Sequence, residues 1–140
     1  MNSSQSSPPM PSKEERVKFP QALVAFADPE QRKIISAFLA QCGFRPVVAN
    51  SIKEITAALA QQKISLIFCG SELPDGTFRD VLAEVHRTTK IPVVVGSRTG
   101  CWEEYFKALQ HGAFDLIATP CRADEVRHIL NRLPRKLTAA

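Results

Sequence analysis

No apolar run in this chain approaches the roughly 18–20 residues needed to cross a bilayer. The opening stretch, Met1 to Ser12, is rich in Ser and Pro and has no hydrophobic segment of the kind that directs secretion. With both absent, a cytoplasmic protein that does not engage a membrane is expected. The four cysteines, Cys42, Cys69, Cys101 and Cys121, include no CxxC and no zinc-like spacing. They read as reduced, mostly buried thiols. GxSxG is absent, as is any Ser–His–Asp pattern. Gly96-Ser97-Arg98-Thr99-Gly100 lacks the spacing of a phosphate-binding P-loop and reads as a plain β-to-α turn. No catalytic pattern joins His86, His111 and His128 to one another or to a carboxylate pair, and they read as exposed or capping residues. No enzymatic activity, metal or cofactor is expected.

Charge is also modest, a net +4 over 140 residues. It gathers at the end, where Arg122, Arg127, Arg132, Arg135 and Lys136 face only Asp124 and Glu125. Cations there suit the carboxyl end of a last helix, so nucleic acid is not the expected partner.

What the chain does have is alternation. Residues 1–18 carry Pro8, Pro9 and Pro11 and no hydrophobic face, and read as a disordered arm. Residues 19–135 read as one domain and 136–140 as a tail. Ala22 to Phe26 is a continuous apolar run, as in a strand buried on both faces. Asp28-Pro29 then opens a helix, with Asp28 as its cap and Pro29 at the tolerated first position. Gly43 ends that helix. Pro46 to Ala49 reads as a short edge strand, Ser51 caps a second helix, and Ile64 to Cys69 is a second buried strand. A loop over 70–76 leads to a third helix. Ile91 to Val95 is a fourth strand, 102–110 a helix stopped at Gly112, 114–118 a fifth strand, and Ala123 to about Leu133 a last helix. Strands alternating with helices imply βαβ units and a parallel sheet. Ligands of such sheets sit at the carboxyl ends of the strands.

At those strand ends the sequence resembles the receiver domain of two-component response regulators. The anchors are Asp28-Pro29, Leu73-Pro74-Asp75-Gly76, Ile91 to Val95, Ala108-Leu109-Gln110-His111-Gly112-Ala113 and Asp115 to Pro120. The resemblance implies a flavodoxin-like (βα)5 doubly wound α/β fold with strand order 2-1-3-4-5. It also implies a phosphorylation site: an acidic pair holding Mg²⁺, an acceptor aspartate, a Ser or Thr, and a Lys. By position these fall on Phe26 and Ala27, on Gly70, on Ser97 and on Thr119. Only the hydroxyl survives, and Asp28 is taken up as a helix cap. The aromatic of the fifth strand falls on Leu116.

A degenerate pocket of Phe26, Ala27, Asp28, Gly70, Ser97 and Thr119, with no metal and an inactive acceptor position, is therefore expected. Glu72 and Asp75 are expected on the loop beyond it, pointing outward. The leading function is a stand-alone pseudo-receiver that acts by protein–protein contact. Its partners would be signalling proteins, a histidine kinase or another regulator, with a homodimer as a further outcome. The expected contact face contains Trp102, Tyr105, Leu116, Arg122 and Arg127, with Trp102, Tyr105 and Phe106 partly in the core. One rival is a ligand or thiol-redox sensor, in which Cys69, Cys101 and Cys121 converge on the emptied site. The other is an atypical regulator that is still phosphorylated.

Overall fold

The computed structural model describes residues 19–134, so the 1–18 arm and the 136–140 tail lie outside the described residues. Seven strands and five helices follow in order: β1 (Gln21–Ala25), α1 (Pro29–Gln41), β2 (Arg45–Ala49), α2 (Ile52–Gln61), β3 (Ile64–Gly70), β4 (Glu72–Leu73), β5 (Gly76–Thr77), α3 (Phe78–Thr88), β6 (Val93–Ser97), α4 (Trp102–Gln110), β7 (Asp115–Ala118) and α5 (Ala123–Asn131). The main sheet is parallel throughout, in the order β2-β1-β3-β6-β7. With the β4–β5 hairpin set aside, this is the expected 2-1-3-4-5.

The apolar runs account for the layering. β1, β3 and β6 are central, and their side chains alternate between two cores. Leu23, Ile67, Val93 and Val95 face one core, with Val81, Leu82 and Ala108 from the helices. Ala22, Val24, Phe68 and Val94 face the other, with Ile35, Leu39, Val126 and Ile129. A strand covered on both sides favours apolar residues on both faces, hence sequences that are apolar nearly throughout, with Ser65 and Ser97 as polar interruptions. β2 is an edge strand and leaves Val48 54% exposed.

Local chemistry sets the helix ends. Asp28 accepts a hydrogen bond from the Glu30 N–H at 2.9 Å, with Pro29 opening α1. Gly43 takes φ of +90° just past the end of α1, a conformation that favours glycine. Ser51 caps α2 by accepting from the Glu54 N–H at 3.2 Å, while the Asn50 N–H donates back to Glu54 at 2.7 Å.

Two expectations need correction. The strand at 91 begins at Val93; Pro92 has no N–H to give a ladder, though its carbonyl accepts from the Ile67 N–H at 3.0 Å. The 70–76 segment is not a plain loop. It folds into the β4–β5 hairpin, with Leu73 and Phe78 buried in the core beneath it.

Asp75 is solvent-accessible at the turn of that hairpin, but it does not simply point outward. Its carboxylate accepts from the Ile52 N–H at 2.8 Å and the Lys53 N–H at 3.1 Å, the first two amides of α2. The Ile52 hydrogen bond, foremost, holds the Asp75 carboxyl below its ordinary value. A carboxyl lowered by folding stabilises the fold above the unfolded-chain value of about 3.9, and that contribution is lost as pH falls through the lower folded value. Asp75→Asn is therefore expected to lower the thermal midpoint near neutral pH, with a deficit that shrinks steadily in acid. Unfolding followed by circular dichroism across this range checks it, and an equal deficit at all pH values would refute the charge-based tie.

Candidate functional site

The carboxyl ends of β1, β3, β6 and β7 come together because the strands are parallel and in register. Ala25 lies beside Cys69, Gly70 beside Gly96, and Ser97 beside Ala118. Phe26 follows directly on β1 and is only 4% exposed. Its ring lies across the neighbouring strand ends. A Cβ on Gly70 would stand 3.2 Å from the Phe26 Cδ2, and one on Gly96 would stand 2.6 Å from the Phe26 Cε2. The Thr119 methyl approaches Gly96 as well, at 3.2 Å from the same hypothetical Cβ. Two glycines thus make the room, and an aromatic ring and a methyl group fill it. Ala27 and Asp28 are exposed outside this plug.

The residues present do not fit a divalent cation. Hard cations need several oxygen ligands, and Phe26 and Ala27 supply none from their side chains. Their main-chain carbonyls are already engaged: the Arg32 guanidinium donates to the Phe26 oxygen at 2.6 Å and to the Ala27 oxygen at 3.3 Å. Among the described residues no group of three or more His, Cys, Asp or Glu is placed to hold a metal. Thr119, half-buried, offers no cation.

Ser97 is fully buried, and its hydroxyl has partners all round. It donates to Glu104 Oε1 and accepts from the amides of Thr99 at 3.3 Å and Gly100 at 3.2 Å. The Thr99 hydroxyl donates to the same Glu104 oxygen. Glu104 belongs to the first turn of α4, where a carboxylate also suits the helix dipole.

Along α4 lies a group of aromatic side chains. Trp102 is 67% exposed and stacks on Tyr105 with ring centroids 5.4 Å apart, while Phe106, 48% exposed, meets Trp102 edge-on at 4.7 Å. The expectation that Trp102 and Phe106 share the core is thus corrected: α4 buries Ala108 instead. Between β7 and α5 a groove of about 550 Å³ is lined by Leu116, Ala118, Asp124, Glu125 and His128. Arg122 pairs with Asp124 at 3.1 Å, and Arg127 is exposed on α5.

The cysteines do not converge. Cys69 lies in the core on the α2–α3 side, Cys121 in the core on the α1–α5 side, and Cys101 is exposed. Burial pushes the Cys69 thiol up to about 12 and raises that of Cys121 as well, so both stay protonated at neutral pH.

The family model described as the response regulator receiver domain matches residues 23–131. The chain belongs to the receiver-domain family. It is 31% identical over 90 residues to regulatory protein LuxO of Vibrio cholerae, covering 64% of this chain and 20% of that protein. It is 26% identical over 110 residues to response regulator protein PilR of Pseudomonas aeruginosa, covering 78% and 25%. The chain therefore spans about a fifth to a quarter of the length of these curated relatives. In fold it matches the chemotaxis response regulator CheY4 of Vibrio cholerae with a TM-score of 0.73 at 17% identity, over 81% of this chain and 98% of that one. The receiver domain of the Francisella response regulator 1452 matches at 0.71 and 22%, over 81% and 98%.

In this receiver domain the structure brings Phe26, Gly70 and Thr119 together around Gly96, with Ser97 next along β6 and Ala27 and Asp28 at the rim. Sequence reasoning passed over three contributors. Gly96 looked like part of a turn, yet it is the floor on which the ring rests. Arg32, on the first turns of α1, reads as an ordinary exposed charge. Glu104 lies seven residues beyond Ser97, a spacing that carries no known signal; its one hint is a carboxylate in the first turn of a helix.

If the ring rests on Gly96, Gly96→Ala is expected to destabilise the fold by about 1–3 kcal/mol through overpacking. Phe26→Leu, which removes the ring's far edge, should recover part of that loss in the double variant. Denaturant unfolding of the four proteins measures the coupling, and strictly additive effects would contradict the contact.

Proposed function

We propose that this receiver domain is a pseudo-receiver: a module that works without accepting a phosphoryl group, by presenting its α4–β7–α5 face to another protein of two-component signalling. The observation that carries the reading is the Phe26 ring over Gly70. A phosphoryl acceptor needs a carboxylate at that strand end, a cation beside it and space for the incoming group. Here Gly70 has no side chain, Phe26 and Thr119 offer no charge, and the ring fills the volume. On this reading the chain is not an enzyme, takes no cofactor and works in the cytoplasm.

The face is suited to contact. Aromatic side chains lose little conformational freedom on docking and are enriched where binding energy concentrates. Trp102, Tyr105 and Phe106 already support one another before any partner arrives. On this reading the face continues over Leu116, which lines the β7–α5 groove, to the exposed Arg122 and Arg127 of the α5 segment. The partner would be a signalling protein, such as a histidine kinase or another regulator, or a second copy of the chain. A thiol sensor finds less support, since Cys69 and Cys121 lie on opposite sides of the sheet with raised thiol values.

Two arms test the proposal. Incubation with acetyl phosphate, with and without Mg²⁺, is expected to leave no phosphate adduct in the intact mass spectrum; an Mg²⁺-dependent adduct on the wild-type chain would overturn the reading in favour of an atypical but active regulator. In capture of partners from the native organism, Trp102→Ala is expected to weaken retention by about tenfold or more, a typical hot-spot loss. Val48→Ala, an exposed apolar change at the opposite edge of the sheet, is expected to leave it unchanged. Equal effects of the two variants would remove the α4 face from the account.

A further inference from the structure

We infer that Glu104 is a built-in anion that holds the strand-end hydroxyl of Ser97, fixing the β6–α4 turn and the aromatic face beyond it in one arrangement. The inference rests on the reading of α4 as a docking face and names what keeps that face presented without a bound group.

A buried hydroxyl must place one proton and two lone pairs. Ser97 is 1% exposed, and all three are placed within ten residues of chain. Its lone pairs take the amides of Thr99 and Gly100, which shapes the turn after β6. Its proton goes to Glu104 Oε1, where the Thr99 hydroxyl converges too. The strand ends on the β3 side offer no side-chain acceptor in exchange, since they carry Gly70 and the Phe26 ring. The anionic oxygen that this hydroxyl meets is thus covalently part of α4.

Glu104 also stands where it orders the helix start. The N-cap residue of α4, Cys101, makes no side-chain capping bond. The first helical bond, from the Tyr105 N–H to the Cys101 carbonyl at 3.0 Å, spans Glu104. Trp102 precedes Glu104 by two residues and Tyr105 follows it, and their rings stack on each other. Tying Glu104 to the end of β6 therefore ties the base of the aromatic cluster to the sheet. A charged acceptor serves this better than a neutral one, because charge-assisted hydrogen bonds are stronger. Glu104 is a positioning residue on this account: it acts through Ser97 and the helix start, not by touching a partner.

The test is native-state amide exchange by NMR on the full chain, with the emission of Trp102, its single tryptophan, as a second readout. In Glu104→Ala the amides of Thr99, Gly100 and Tyr105 are expected to exchange about tenfold faster or more, and Trp102 emission to shift, while sheet amides such as Phe68 and Val94 keep their rates. Glu104→Gln retains an oxygen that accepts from the hydroxyls and is expected to restore most of the protection. Adding Ser97→Ala to Glu104→Ala should speed exchange at Tyr105 no further, although Thr99 and Gly100 lose their direct acceptor. Unchanged rates at Thr99 and Gly100 in Glu104→Ala would overturn the inference. So would equal acceleration across the sheet, or a Gln variant no better than Ala. If Glu104→Ala does not fold, Ser97→Ala decides by the same amides: faster exchange at Tyr105 supports the tie, and a wild-type rate there refutes it. No partner or phosphodonor enters this measurement, so its failure would leave the pseudo-receiver reading standing, and a phosphate adduct would sink that reading with the Glu104 tie intact.

Discussion

An aromatic ring at the carboxyl end of a parallel sheet needs neighbours that yield space on both adjacent strands. Phe26 has them in Gly70 on β3 and Gly96 on β6, and the rest of the strand-end region is arranged around that contact. With the ring in place, the end of the sheet is closed by carbon. Burial of a Phe side chain contributes about 1.5–3 kcal/mol, so an apolar closure is favourable in its own right. The Phe26 carbonyl, which cannot reach the sheet ladder beyond β1, is met by the Arg32 guanidinium. Among the described residues one polar side chain is buried at this end, Ser97, and it turns to α4 for its acceptor.

On the proposed reading, that closure shifts the chemistry of the molecule from the strand ends to its side. A receiver site with carboxylates and a metal is held together by charge; this one is held by packing, and packing does not switch on contact with a small ion. What the chain offers a partner in the proposed account is surface. The most distinctive surface is on α4, where the exposed Trp102 and Phe106 lean on each other and on Tyr105, next to the groove between β7 and α5. The internal tie between Ser97 and Glu104 connects these two regions in the proposed account.

Much of the fold was legible because burial on both faces leaves an unmistakable mark. The runs at 22–26 and 64–69 became β1 and β3, and Asp28, Gly43, Ser51 and Gly112 mark helix boundaries by local chemistry that needs no tertiary partner. The receiver resemblance puts Phe26 and Gly70 where carboxylates are expected, and the structure sets these two residues against each other at the strand ends. What escaped was long-range or ambiguous. Asp75 finds the amides of α2 more than twenty residues back in sequence. Trp102, Tyr105, Phe106 and Leu109 follow the i, i+3, i+4, i+7 spacing of a core-facing stripe, yet that stripe faces largely outward, because Ala108 is the α4 residue that fits against the sheet. Periodicity shows that a helix has an apolar face but not which face meets the sheet. The role of Gly96 depends on a ring arriving from another strand, and no pattern within β6 announces it.

The central claim is that packing has replaced ion binding at the strand ends. Titration of the chain with Mg²⁺ through millimolar concentrations, followed by the backbone amide spectrum, tests it most directly. The account predicts no saturable change at residues 26–28 and 70, with any drift spread weakly over exposed acidic side chains. Saturable shifts clustered at those residues would contradict it, because they would mean that the Phe26 ring leaves the site and that oxygen ligands assemble in its place.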